Sequence, residues 1–134
     1  DGQTARVKEI LTGVARRHRP FPLRLEGTGA FPDERRPRVL WAGFAPEPAL
    51  LAVQEDIDRA LEAEGFEREK RAFMPHLTLG RVKGPDRLTQ AVAELAAHRG
   101  DSLGAMTVRK IALFESVLHP EGAEYRIFFE AVLS

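Results

Sequence analysis

The chain has 134 residues, 43% of them apolar and 30% charged, the balance of a globular domain large enough to bury its own core. It has no cysteine, which excludes disulfides, thiolate zinc sites and a cysteine nucleophile, and fits the reducing cytoplasm where the protein is expected. Lys plus Arg and Asp plus Glu number 20 each, so the formal net charge is zero; this excludes coating of nucleic acid by counterion release and leaves local grip on one or two phosphates.

No apolar run approaches the roughly 20 residues that span a bilayer, and no membrane partner is expected. Asp1-Gly2-Gln3-Thr4 carries no basic segment leading into an apolar one, so no signal peptide is read. The chain does not begin with Met, and it is expected to start partway through a longer protein.

Val7, Ile10, Leu11 and Val14 recur at helical spacing and predict a helix over residues 4–18, stopped by Pro20. Phe21, Leu23 and Leu25 alternate with Pro22, Arg24 and Glu26, the period of a half-buried strand. Gly27-Thr28-Gly29-Ala30-Phe31-Pro32 continues it, with a bulge expected at the glycines. No helix follows those glycines, so they are not a dinucleotide loop. Asp33 to Pro37 is a polar turn, and Arg38 to Phe44 is the second strand of a hairpin. Trp41 and Phe44 are assigned to the core rather than to base stacking. Arg35, Arg36 and Arg38 are assigned to a solvated turn.

Pro46 and Pro48 open a second helix with Leu50, Val53, Ile57, Ala60 and Leu61 as its buried stripe and Gly65 as its end. Phe73 to Val82 reads as a strand. Gly84-Pro85 breaks the chain, and Asp86 is read as the cap of a third helix reaching Gly100, with Leu88, Val92 and Leu95 on its core face. Met106 to Ser116 and Glu124 to Leu133 form a C-terminal hairpin around the turn His119-Pro120-Glu121-Gly122. The order α-β-β-α-β-α-β-β has no repeated βαβ unit and predicts an α+β domain over residues 1–134, its sheets mainly antiparallel with helices packed outside.

The chemistry concentrates in Pro75-His76-Leu77-Thr78-Leu79-Gly80-Arg81. Alternate side chains of a strand share a face, so His76 and Thr78 point the same way, about 7 Å apart. Histidine as a residue type exchanges its proton near neutral pH and suits general acid–base work. A threonine hydroxyl can donate to a phosphate oxygen, and arginine offers a permanent fork-shaped cation. Strict alternation places Arg81 with Leu77 and Leu79 on the other face. It reaches a phosphate beside His76 only if the strand ends, twists or bulges near Gly80. By itself a lone histidine in an apolar strand is more often a packed or surface residue than a catalyst. His18, His98 and His119 are read as surface residues, and no ligand spacing around His76 suggests a metal.

Phe73-Met74-Pro75-His76-Leu77-Thr78-Leu79-Gly80-Arg81 closely resembles the second motif of the two-histidine (2H) phosphoesterases, in wording nearest to the RNA 2′,3′-cyclic phosphodiesterases, also called 2′-5′ RNA ligases (LigT-like). Residues 27–32 and 37–43 resemble that family's central hairpin. Leu113 to Leu118 with Tyr125 resemble its closing hairpin. The resemblance implies the two-lobed 2H fold, here without its N-terminal β-α-β. It implies hydrolysis of a 2′,3′-cyclic phosphate RNA end to a 2′-phosphate, by a hydrolase active on RNA or small cyclic nucleotides. Reverse 2′-5′ ligation is possible, no metal or cofactor is required, and a monomer is expected. It makes His76 one of two acid–base residues, Thr78 a catalytic phosphate ligand and Arg81 a phosphate or RNA contact. The first His-x-Thr motif of the family is absent from residues 1–134 and would sit upstream of Asp1. With one histidine the chain as given is expected to bind phosphate better than it turns substrate over, losing roughly 10²–10⁴ in rate. The alternatives are a non-catalytic nucleotide- or RNA-binding module keeping one phosphate cradle, and an unrelated α+β interaction domain.

Overall fold

A computed structural model describes residues 2–84 and 88–134. The elements are α1 (Gly2–Arg16), β1 (Phe21–Phe31), β2 (Val39–Phe44), α2 (Pro48–Ala63), β3 (His76–Arg81), α3 (Leu88–Ala97), β4 (Ser102–Val108), β5 (Lys110–His119) and β6 (Gly122–Val132). The α+β class is as read from the sequence. The proposed cap Asp86 lies outside the described residues. Two differences concern strands. The strand expected from Phe73 begins only at His76. The single strand expected from Met106 to Ser116 is two, β4 and β5, which begin earlier and end later than that span and are separated at Arg109.

The chain divides into two compact units. One takes α1 with Phe21, α2 and the β5–β6 hairpin; the other takes β1 from Pro22, β2, β3, α3 and most of β4. In the first unit α1 lays its stripe against the hairpin and α2. Ile10, Leu11, Val14 and Ala15 are buried together with Phe21, Val53, Ala131 and Leu133, so the 3.6-residue period of α1 meets the two-residue period of β6 in one apolar core. Leu50, Ile57, Ala60 and Leu61 of α2 are partly buried against it. Gly65 ends that helix in a left-handed conformation (φ 96°), and the Gly65 and Phe66 amides close on the carbonyls of Glu62 and Leu61. Midway along α2, Asp56 accepts from Arg17 Nε at 3.0 Å and its terminal nitrogen at 2.8 Å, and from His18 Nε2 at 2.8 Å. His18 is therefore a half-buried, paired residue rather than a solvated one. His98 and His119 are exposed, each beside a carboxylate.

The second unit is built on a four-stranded sheet in the order β3-β2-β1-β4. β1 and β3 both pair antiparallel with β2, and β3 is an edge. Both pairings contain a register shift. In β1, Leu25 faces Phe44 but Thr28 faces Ala42, so one extra residue sits at Glu26-Gly27. Gly27 has φ 78°, and a Cβ there would lie 2.6 Å from the Arg99 carbonyl oxygen, so only glycine fits. In β3, Thr78 faces Trp41 but Gly80 faces Leu40, leaving Leu79 as the extra residue. α3 meets this sheet at β1: Thr28 Oγ1 donates to the Leu95 carbonyl at 2.5 Å, and Leu95 is buried.

Candidate active site

Residues paired directly across a sheet share a face. Along β2 the alternation puts Val39, Trp41 and Gly43 on one face. Their partners on β3 are Arg81, Thr78 and His76 in that order. The bulge at Leu79 thus reverses the alternation beyond it and brings Arg81 to the face of His76 and Thr78. Leu77 pairs with Ala42 and belongs to the opposite face. All three predicted site residues lie in the second unit, all are exposed or nearly so, and Gly80 has open space where a side chain would stand. A hydroxyl, an imidazole and a guanidinium on one face of an edge strand can close on one phosphate: one exchanges a proton and two donate to its oxygens.

The imidazole is oriented by two neighbours that sequence reasoning did not name. Its Nδ1 stands 2.8 Å from the carbonyl oxygen of Met74. A carbonyl only accepts, so Nδ1 carries the proton and Nε2 is the nitrogen free for acid–base work. The ring of Phe31 meets it edge-on, with centroids 4.9 Å apart and planes at 85°. Phe31 packs in turn on Trp41 at 5.3 Å and 36°.

Trp41 departs from its core assignment. It is half-buried, on the His76 face, and its indole lies over Gly29, where a Cβ would come within 2.3 Å. It lines an open groove with Gly43, Phe44, Met74 and Pro75. Its indole nitrogen is buried and has no hydrogen-bond partner among the described residues. Arg35 and Arg36 are exposed, as expected of the turn, and their amides donate to Asp33 Oδ1 at 2.8 and 3.0 Å.

The second unit is thus an antiparallel sheet that displays a His-x-Thr pair on its edge strand. The sequence matches the 2′-5′ RNA ligase superfamily over residues 1–119, and the chain belongs to that superfamily. It is 34% identical over 128 residues to an RNA 2′,3′-cyclic phosphodiesterase of Methanothermobacter thermautotrophicus, covering 93% of this chain and 67% of that protein. An Aeropyrum pernix protein of the same name is 36% identical over 128 residues, covering 94% and 71%. The chain therefore spans about two thirds to seven tenths of the length of these relatives. Among solved structures, the Thermus thermophilus protein TT0787 superposes with a TM-score of 0.78 at 29% identity, over 99% of this chain and 71% of that one. Among the described residues no helix is long and apolar enough to cross a membrane.

Proposed function

We propose that the protein is an RNA 2′,3′-cyclic phosphodiesterase in which His76 moves a proton, Thr78 donates to a phosphate oxygen and Arg81 neutralises phosphate charge. The observation that carries this reading is the shared face of His76, Thr78 and Arg81 on an exposed edge strand. The relatives' names supply the substrate class. In the reaction a water oxygen attacks the cyclic phosphorus and loses its proton. The bond from phosphorus to O3′ breaks, O3′ is protonated, and a 2′-phosphate remains. His76 serves one of these two transfers through Nε2, which the Met74 carbonyl leaves free. The other requires a second acid–base group, which the family pattern assigns to its first His-x-Thr motif. With a 5′ hydroxyl attacking the cyclic phosphorus in place of water, the same loss of a proton by the attacking oxygen and protonation of the leaving O3′ joins the two ends through a 2′-5′ bond. The absence of cysteine supports a cytoplasmic setting, and we take the working unit to be a monomer.

The test is hydrolysis of RNA carrying a 2′,3′-cyclic phosphate by the complete encoded protein and its His76→Ala variant. Removing one proton-transfer partner is expected to lower kcat by roughly 10²–10⁴. An unchanged rate in the variant refutes the reading. Wild-type protein that binds the RNA end without hydrolysing it identifies instead a binding module that keeps the phosphate cradle.

A further inference from the structure

We propose that Phe31 is a positioning residue that fixes the plane of the His76 imidazole and so aims Nε2 at the reacting phosphate. The proposal rests on the reading of His76 as a proton carrier. Phe31 comes from β1 and His76 from β3, with β2 between them. Their cross-strand partners on β2 are Val39 and Gly43, four residues apart. Upright side chains at those positions would stand far apart, because each residue of a strand adds about 3.3 Å. The two rings nevertheless meet at 4.9 Å. Phe31 must therefore lean diagonally across β2 to reach the histidine.

Two features make room for that lean. Gly43, opposite His76, has no side chain to occupy the space between the rings. Trp41 lies down over Gly29 and supports the Phe31 ring from one side at 5.3 Å. Phe31 stands on the correct face only because the bulge at Glu26-Gly27 has already reversed the alternation of β1.

The hydrogen bond to the Met74 carbonyl holds one edge of the imidazole but leaves the ring free to tilt about that bond. The χ2 torsion of histidine has broad, roughly two-fold wells, so a single hydrogen bond is a weak restraint on ring plane and on ring flipping. An edge-on aromatic neighbour at right angles removes both freedoms, because a flip or tilt drives the imidazole into the Phe31 ring. The phosphate grip of Thr78 and Arg81 does not involve Phe31. Its loss should therefore slow the chemical step while leaving substrate binding intact.

The experiment compares Phe31→Leu and Phe31→Tyr in the complete encoded protein, with 2′,3′-cyclic-phosphate RNA as substrate and ¹⁵N NMR of the His76 ring. In Phe31→Leu, kcat is expected to fall roughly 10- to 100-fold, the cost of a misplaced reacting group, with KM unchanged. The ring signals should change from a single Nδ1–H tautomer to a mixture. Phe31→Tyr keeps the ring and should restore both. If the leucine variant does not fold, Phe31→Met takes its place, keeping bulk without a ring. An unchanged kcat in the ring-less variant overturns the proposal. So does a fallen kcat with the wild-type tautomer signature, which would mark a merely structural role. Full activity of His76→Ala would instead overturn the reading beneath it, so the two failures are told apart.

Discussion

At the residue scale a hydrogen-bonded group of Asp56, Arg17 and His18 ties the end of α1 to α2. The Arg17 guanidinium, bonded through two nitrogens, holds the Asp56 carboxyl below its ordinary value of 3.8, with the His18 hydrogen bond adding to the effect and partial burial opposing it. A depressed carboxylate contributes stability that is present above its unfolded value and is lost as pH falls through the folded one. The first unit should therefore lose stability in acid below about pH 3.8. In Asp56→Asn that component disappears: the gap in Tm between wild type and variant should be widest near neutral pH and close as pH falls. A gap independent of pH would show that the pair contributes packing and not charge. None of this was legible from residue types. His18 at the end of a helix has the composition of a solvated residue, and only the antiparallel approach of α1 and α2 gives it Asp56.

At the scale of elements the two bulges decide the site. Periodicity is a local rule, and it located most of the strands, the helices and the His76–Thr78 pairing without tertiary information. It fails wherever a residue is inserted into a ladder, because every later side chain then changes face. Leu79 does this to Arg81, and Glu26-Gly27 does it to Phe31. Gly27 and Gly80 are visible signals that something irregular happens nearby, but a glycine does not state how many residues its partner strand will skip. The same sheet makes a prediction about Gly29. An alanine Cβ there would meet the Trp41 indole at 2.3 Å, so the ring must be displaced. Gly29→Ala is expected to cost about 1–3 kcal/mol, as overpacking does. It should also shift the fluorescence of Trp41, the single tryptophan. Unaltered emission and an unaltered unfolding midpoint would show that the indole does not rest there. β4 was missed for a related reason: its place beside β1 is a tertiary pairing, seen in the bond from the Gly27 amide to the Asp101 carbonyl at 2.9 Å, and nothing within residues 102–108 announces it.

For the whole molecule, net charge separates this protein from general nucleic-acid binders. With 20 cations against 20 anions, binding of an RNA end should rest on one or two phosphates. For single strands each neutralised phosphate contributes about −0.7 to the slope of log K against log salt. Affinity of the complete protein for a cyclic-phosphate end should therefore fall only about three- to sevenfold between 50 and 200 mM salt, by titration with labelled RNA. A fall of a hundredfold or more would reveal an extended basic surface that the composition does not suggest. The sequence by itself determined the α+β class, the helices, most of the strands, the absence of thiol chemistry and the His76–Thr78 pair, because composition and periodicity act on neighbouring residues along the chain. The tertiary structure alone decided that Arg81 joins that pair, that Phe31 braces the imidazole across a strand, that the Met74 carbonyl selects the reactive nitrogen and that Asp56 captures His18. Each of these depends on which residue stands opposite which, and register between strands and helices is settled only when the packed faces meet.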